Sequence, residues 1–168
     1  MLVALGMVAL QLLWVQSISA PGISAQAASQ RTTRSSMLAA VDRFYEAANA
    51  QNGTVPADFA TDCEWGMNGQ TVSPCAAPFS NRRLQSIEQI RDRKVIAVDE
   101  ERGLVAVSTY EDFTGAVQRF TDAAGTTFED SLPYPRTLQV IDLFRFVNGK
   151  VERIDAYTSE LPYGVIPR

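Results

Sequence analysis

Hydrophobic positions divide this chain into three regimes. Met1 to Val15 is apolar apart from Gln11, and small and polar residues follow through Ser24. Leu38, Val41, Phe44, Tyr45 and Ala48 then recur at helical spacing, which predicts one amphipathic helix of about four turns. Ser35 or Ser36 is its expected cap, and Asn52-Gly53 its expected stop. Pro56 to Phe59 predicts a short helical turn, Cys63 to Met67 a first strand, and the Gly-, Pro- and Ser-rich stretch after it a loop with room for a short helix. From Ser86 onward the period is two. Ser86–Val98 and Leu104–Phe113 read as long antiparallel strands around the turn Asp99-Glu-Glu-Arg-Gly103, with Val105, Val107 and Thr109 on one face and Ala106, Ser108 and Tyr110 on the other. Gly115 to Arg136 predicts a proline-bounded loop, with a short hairpin around Ala123-Ala-Gly125 and a length typical of lids and binding loops.

The last strands, Thr137 to Tyr157, form a hairpin about Asn148-Gly149, because a two-residue type I′ turn needs positive φ at both central positions. Counting outward from that turn, Val147 faces Lys150, Phe144 faces Arg153 and Asp142 faces Asp155. One acid, Asp142, thus stands among Val140, Ile141, Leu143 and Phe144 with a second acid opposite. Like charges so placed repel, so either they share a proton in a pocket, or Arg153 neutralises both in an ion network at the sheet surface. Glu64 and Trp65 alternate faces, so one of them looks inward: Trp65 as core, or Glu64 as an acid at a pocket mouth. Tyr45, Tyr110 and Tyr157 are either hydrogen-bond donors to a bound carbonyl or core rings, and Phe44, Phe144 and Trp65 are wall residues. Glu111-Asp112 reads as a solvated strand end, since adjacent strand residues point to opposite faces.

Composition narrows the chemistry. The 168 residues contain no histidine, which removes serine triads, Cys/His dyads and His-rich metal sites, and no metal or cofactor is expected. A net charge of -4 and 46% apolar content argue for one acidic domain without a nucleic-acid partner. The leading apolar run, shorter than a bilayer span and followed by Ala25-Gln26-Ala27, reads as a signal peptide over residues 1–27. Residues 28–35 are then a linker, 36–160 the domain and 161–168 a tail. A secreted or periplasmic protein without stable membrane association is expected, with Cys63 and Cys75 joined as a disulfide. Asn52-Gly53-Thr54 is a glycosylation acceptor if the pathway is eukaryotic.

One helix followed by a meander of long strands predicts α+β, with a curved antiparallel sheet wrapped around the N-terminal helix into a cone. Val41-Asp-Arg-Phe-Tyr-Glu-Ala-Ala-Asn-Ala50, Phe59-Ala-Thr-Asp62 and Ile141-Asp-Leu-Phe-Arg-Phe-Val-Asn-Gly-Lys-Val151 resemble the nuclear transport factor 2-like superfamily, which includes ketosteroid isomerases and SnoaL-like polyketide cyclases. Asp99-Glu-Glu-Arg-Gly-Leu-Val105 and Leu161-Pro-Tyr-Gly164 resemble exported members of unassigned function. The resemblance to ketosteroid isomerase implies that its oxyanion-donating acid falls on Asp142 and its helix tyrosine on Phe44, beside Tyr45. Its general base falls near Met67 and Asn68, neither of which is a base. The expectation is a pocket for a small apolar molecule, with Asp142 as central acid or base, Asp155 and Arg153 tuning it, and Tyr45 or Glu64 assisting. Isomerisation, dehydration or cyclisation without a cofactor would be the reaction. The alternative is a non-catalytic ligand-binding or dimerisation module, such as a homodimer.

Overall fold

The computed structural model describes residues 32–80, 83–115, 118–121, 127–130 and 134–165. The expected signal peptide and the Ala123-Ala-Gly125 turn lie outside them. Helix α1 (Arg34–Ala50) begins two to three residues earlier than a cap at Ser35 or Ser36 would allow. Thr33 is the cap, its hydroxyl accepting the Ser36 amide at 3.2 Å while the Thr33 amide donates to Ser36 Oγ at 2.9 Å. Gln51, in the left-handed region at φ 50°, ends the helix ahead of Asn52-Gly53.

The strands are β1 (Phe59–Met67), β2 (Gln70–Pro74), β3 (Ile87–Asp99), β4 (Leu104–Phe113), β5 (Gln118–Thr121), β6 (Thr127–Asp130), β7 (Arg136–Val147) and β8 (Lys150–Pro162). A short helix α2 (Ala77–Ser80) and a 3₁₀ turn (Arg83–Ser86) connect β2 to β3. Six strands form one sheet in the order β2-β1-β8-β7-β4-β3, and β5 pairs with β6. The sheet is mixed where an antiparallel one was expected, because β1 runs parallel to β8. Pro56 to Phe59 makes only a turn, and β1 starts at Phe59. Asn68-Gly69 closes β1 onto β2 with φ of 50° and 84°, a second Asn-Gly hairpin where a Gly-, Pro- and Ser-rich loop was expected.

The core fills the concave side. Met37, Ala40, Val41, Phe44, Tyr45 and Ala48 of α1 meet Val105 and Val107 of β4, Phe144 and Phe146 of β7, and Val151 and Ile154 of β8. Phe44 is the hub, with ring centroids 4.9 to 5.7 Å from Tyr45, Phe144, Trp65 and Phe79. Cys63 and Cys75 form the expected disulfide, both buried, and tie β1 to the end of β2.

The final hairpin departs from its expected register. Asn148 and Gly149 have φ of 50° and 76°, and Val147 faces Lys150 and Phe146 faces Val151 as predicted. Arg145 then faces Arg153, so Glu152 is an extra residue in β8. Beyond this bulge every pair moves by one: Phe144 faces Ile154, Leu143 faces Asp155 and Asp142 faces Ala156. An unbulged ladder would set Arg153 against Phe144 in the core, whereas the bulge puts Ile154 there, fully buried.

Candidate active site

Because of the bulge, Asp142 and Asp155 occupy opposite faces of the sheet, and the predicted carboxylate pair does not exist. Asp155, Arg153 and Glu64 lie together on the convex side. Arg153 Nε and Nη2 donate to the two Asp155 oxygens at 2.8 Å, and Nη1 donates to Glu64 Oε2 at 2.6 Å and Thr71 Oγ1 at 3.2 Å. This is the surface ion network, with Glu64 turned outward and Trp65 inward. Tyr157 is 48% exposed, opposite Ile141 on that face, and Tyr110 lies under the Arg91 guanidinium at 5.2 Å. Asp155, Arg153, Glu64, Tyr157 and Tyr110 therefore do not reach the interior. Gly66 runs beneath the network, and a Cβ there would meet Asp155 Oδ1. Replacing Arg153 by alanine is expected to lower stability by no more than about 1 kcal/mol, as for exposed ion pairs, when followed by urea unfolding.

Asp142 points the other way. It is 2% exposed and borders a cavity of about 280 Å³ between the concave sheet face, α1 and the β2–α2 segment. Phe44, Trp65, Met67, Ile90, Phe113 and Leu138 give the cavity apolar walls. Phe144 stands behind them in the aromatic cluster, fully buried. Tyr45 Oη donates to Asp142 Oδ2 at 2.6 Å, so the helix tyrosine that meets this acid is Tyr45, and Phe44 is the wall residue. Arg93, from a bulge in β3 where Asp92 has φ 53°, pairs with Asp42 at 2.6 Å and stands 5.3 Å over the Tyr45 ring. That arrangement holds the phenol in place.

Burial pushes Asp142 up to about 6, with the Tyr45 hydrogen bond pulling the other way. Burial and then the Asp142 charge raise Tyr45 above the ordinary tyrosine range, so it stays a donor. The acid is therefore mostly ionised at neutral pH and held as an acceptor, the reverse of the proton-donating role implied by the isomerase resemblance.

The cavity holds a second acid where a solvated strand end was expected. Glu111 is on the concave face of β4, and burial followed by the Asp142 charge pushes it up to about 8. Continuing Val105, Val107, Thr109 by one period reaches Glu111, which is the signal that identifies it. Its neighbour Asp112 points to the convex side, where Arg91 Nε at 2.7 Å and Thr137 Oγ1 at 2.5 Å donate to it, and Arg91 holds its carboxyl below the usual range. The tail folds onto this spot: Gly164 donates to Thr137 Oγ1 at 2.9 Å and Val165 O accepts from Arg91 Nη2 at 3.2 Å. Among the described residues, no group of three or more metal-ligating side chains is present.

Several solved structures share this architecture. A proposed polyketide cyclase from Xanthomonas campestris is 25% identical over 74% of this chain and 90% of its own, with a TM-score of 0.52. A proposed isomerase from Bacillus subtilis is 9% identical over 74% and 87%, with a TM-score of 0.53. A nuclear transport factor 2-like protein of unknown function from Burkholderia xenovorans is 13% identical over 79% and 88%, with a TM-score of 0.51. No curated protein matches the sequence. Residues 30–158 match the family described as domain of unknown function (DUF8021). The chain belongs to that DUF8021 family and has the nuclear transport factor 2-like fold.

Proposed function

We propose that this is an exported protein whose cavity binds a small, mostly apolar carbonyl compound, and that Asp142 moves a proton on it without a cofactor. The observation that carries this reading is the buried Asp142 carboxylate, oriented by Tyr45 at 2.6 Å and set in the wall of an otherwise mostly apolar cavity. A carboxylate removed from water, but kept partly ionised by one hydrogen bond, is a competent base for a carbon acid. Isomerisation, dehydration and cyclisation all begin with such a transfer. The fold neighbours described as a cyclase and an isomerase support the reaction class. The buried disulfide supports a secreted or periplasmic location.

The experiment is hydrogen–deuterium exchange into cyclohex-2-enone and 4-tert-butylcyclohexanone in D₂O, followed by NMR, with ligand-detected binding measured on the same samples. Binding with exchange at acidic C–H positions is expected. Binding without exchange would replace the enzyme by a passive ligand-binding module, and absence of both would remove the functional reading of the cavity.

A further inference from the structure

Along the concave face of β4, Val107 faces Asp142, Thr109 faces Val140 and Glu111 faces Leu138 across β7. Glu111 therefore lies four residues of strand from the Asp142 pair, roughly 13 Å of backbone before either side chain reaches inward. The two acids border the same cavity, with room for a small molecule between them.

We infer that Glu111 is the second working carboxyl of the cavity, a proton donor to an uncharged oxygen of a ligand held between it and Asp142. This rests on the proposed binding function and specifies its ligand: a neutral carbonyl compound whose acidic C–H lies some bonds away from the carbonyl oxygen. The proton balance closes within the site. Asp142 takes the proton from carbon while Glu111 gives its own to the carbonyl oxygen, which leaves an enol, a protonated Asp142 and an ionised Glu111. Return of the enol proton to Glu111, and of the Asp142 proton to a different carbon of a conjugated enol, completes an isomerisation and restores both groups. Asp142 and Arg136 from β7 line the cavity beside Glu111, and Tyr45 from α1 reaches it through its hydrogen bond to Asp142. Arg136 is stacked at 4.7 Å on Phe113, and Arg93 lies over the Tyr45 ring. Burial is the larger cause of the raised Glu111 and the Asp142 charge the smaller.

The test is carbon-detected NMR of the side-chain carboxyls through a pH titration of the full chain, in wild type and in Asp142→Asn. Glu111 is expected to titrate near 8 in wild type and at lower pH once the Asp142 charge is gone. In the deuterium exchange assay, the rate should rise with pH as Asp142 ionises and fall again as Glu111 does, and Glu111→Gln should abolish the falling limb. Glu111 titrating with ordinary carboxylates near 4, or at the same pH in wild type and Asp142→Asn, overturns the inference even if Asp142 remains essential for exchange. The reverse result, a coupled Glu111 in a protein that exchanges nothing, upholds the paired site and instead removes the catalytic reading.

Discussion

Raising the pH from 5 to 9 is expected to destabilise the protein, and Glu111→Gln is expected to flatten that decline. In the unfolded chain both acids ionise in the ordinary range, near 4. In the folded chain Asp142 holds its proton up to about 6 and Glu111 up to about 8. Between those limits the folded state binds more protons than the unfolded one, so the slope of unfolding free energy against pH is negative. Asp142 contributes from about pH 4 to 6, and Glu111 from about 4 to 8, each at up to about 1.4 kcal/mol per pH unit. Asp58 and Asp112 act in the opposite sense. Arg43 and Arg91 hold their carboxyls low, so their contribution is present above about pH 4 and is lost as they protonate in stronger acid. Maximum stability should therefore fall on the acid side of neutrality, at about pH 4 to 5. Thermal unfolding across the series measures this. At pH 9 Glu111→Gln should melt above wild type, and a wild-type melting temperature that is level or rising between pH 5 and 9 would contradict the proton-holding acids of the cavity.

Removing the disulfide should have the second large effect. Cys63 and Cys75 are 12 residues apart in sequence, and restraining a loop of that size in the unfolded chain stabilises the fold by about 3 kcal/mol. Both sulfurs are in the core, so Cys63→Ala with Cys75→Ala adds the loss of buried contacts. The consequence extends to the site, because Val72, Ser73 and Pro78, on either side of Cys75, form one wall of the cavity. The double variant should show a lower urea midpoint together with weaker ketone binding, and wild type treated with reductant should move the same way. An unchanged midpoint in both would show that packing alone holds the β2–α2 segment.

The helix, the long strands and the closing turn were all legible in the sequence, because period and turn chemistry are local. Asp142 was legible too, as an acid in an apolar strand, whereas Tyr45 read as a donor to a bound carbonyl or a core ring, and its bond to Asp142 joins residues far apart in sequence. What the sequence reading lost was phase. Val151, Ile154 and Ala156 all face the core, and the three-residue step from Val151 to Ile154 marks the bulge at Glu152 that a strict alternation from Asn148-Gly149 overrides. That one residue sends Asp155, Arg153 and Tyr157 to the convex face. Glu111 was missed because a strand end next to Asp112 resembles a solvated acidic pair, although the alternation already placed it beside Thr109. The parallel pairing of β1 with β8 has no local signal, since it joins segments from opposite ends of the domain. The Asn68-Gly69 hairpin did have one.

The central claim is that Asp142, inside the cavity, and not the Asp155–Arg153–Glu64 network outside it, carries the chemistry. Deuterium exchange into cyclohex-2-enone at pH 7 tests it with Asp142→Asn and Arg153→Ala compared side by side. Asparagine keeps an oxygen to accept the Tyr45 hydroxyl, so the fold should survive while the base is lost. Exchange should fall by about 100-fold or more in Asp142→Asn, as for loss of a general base, and remain at the wild-type rate in Arg153→Ala. Undiminished exchange in Asp142→Asn, or its loss in Arg153→Ala with the fold intact, would contradict the account.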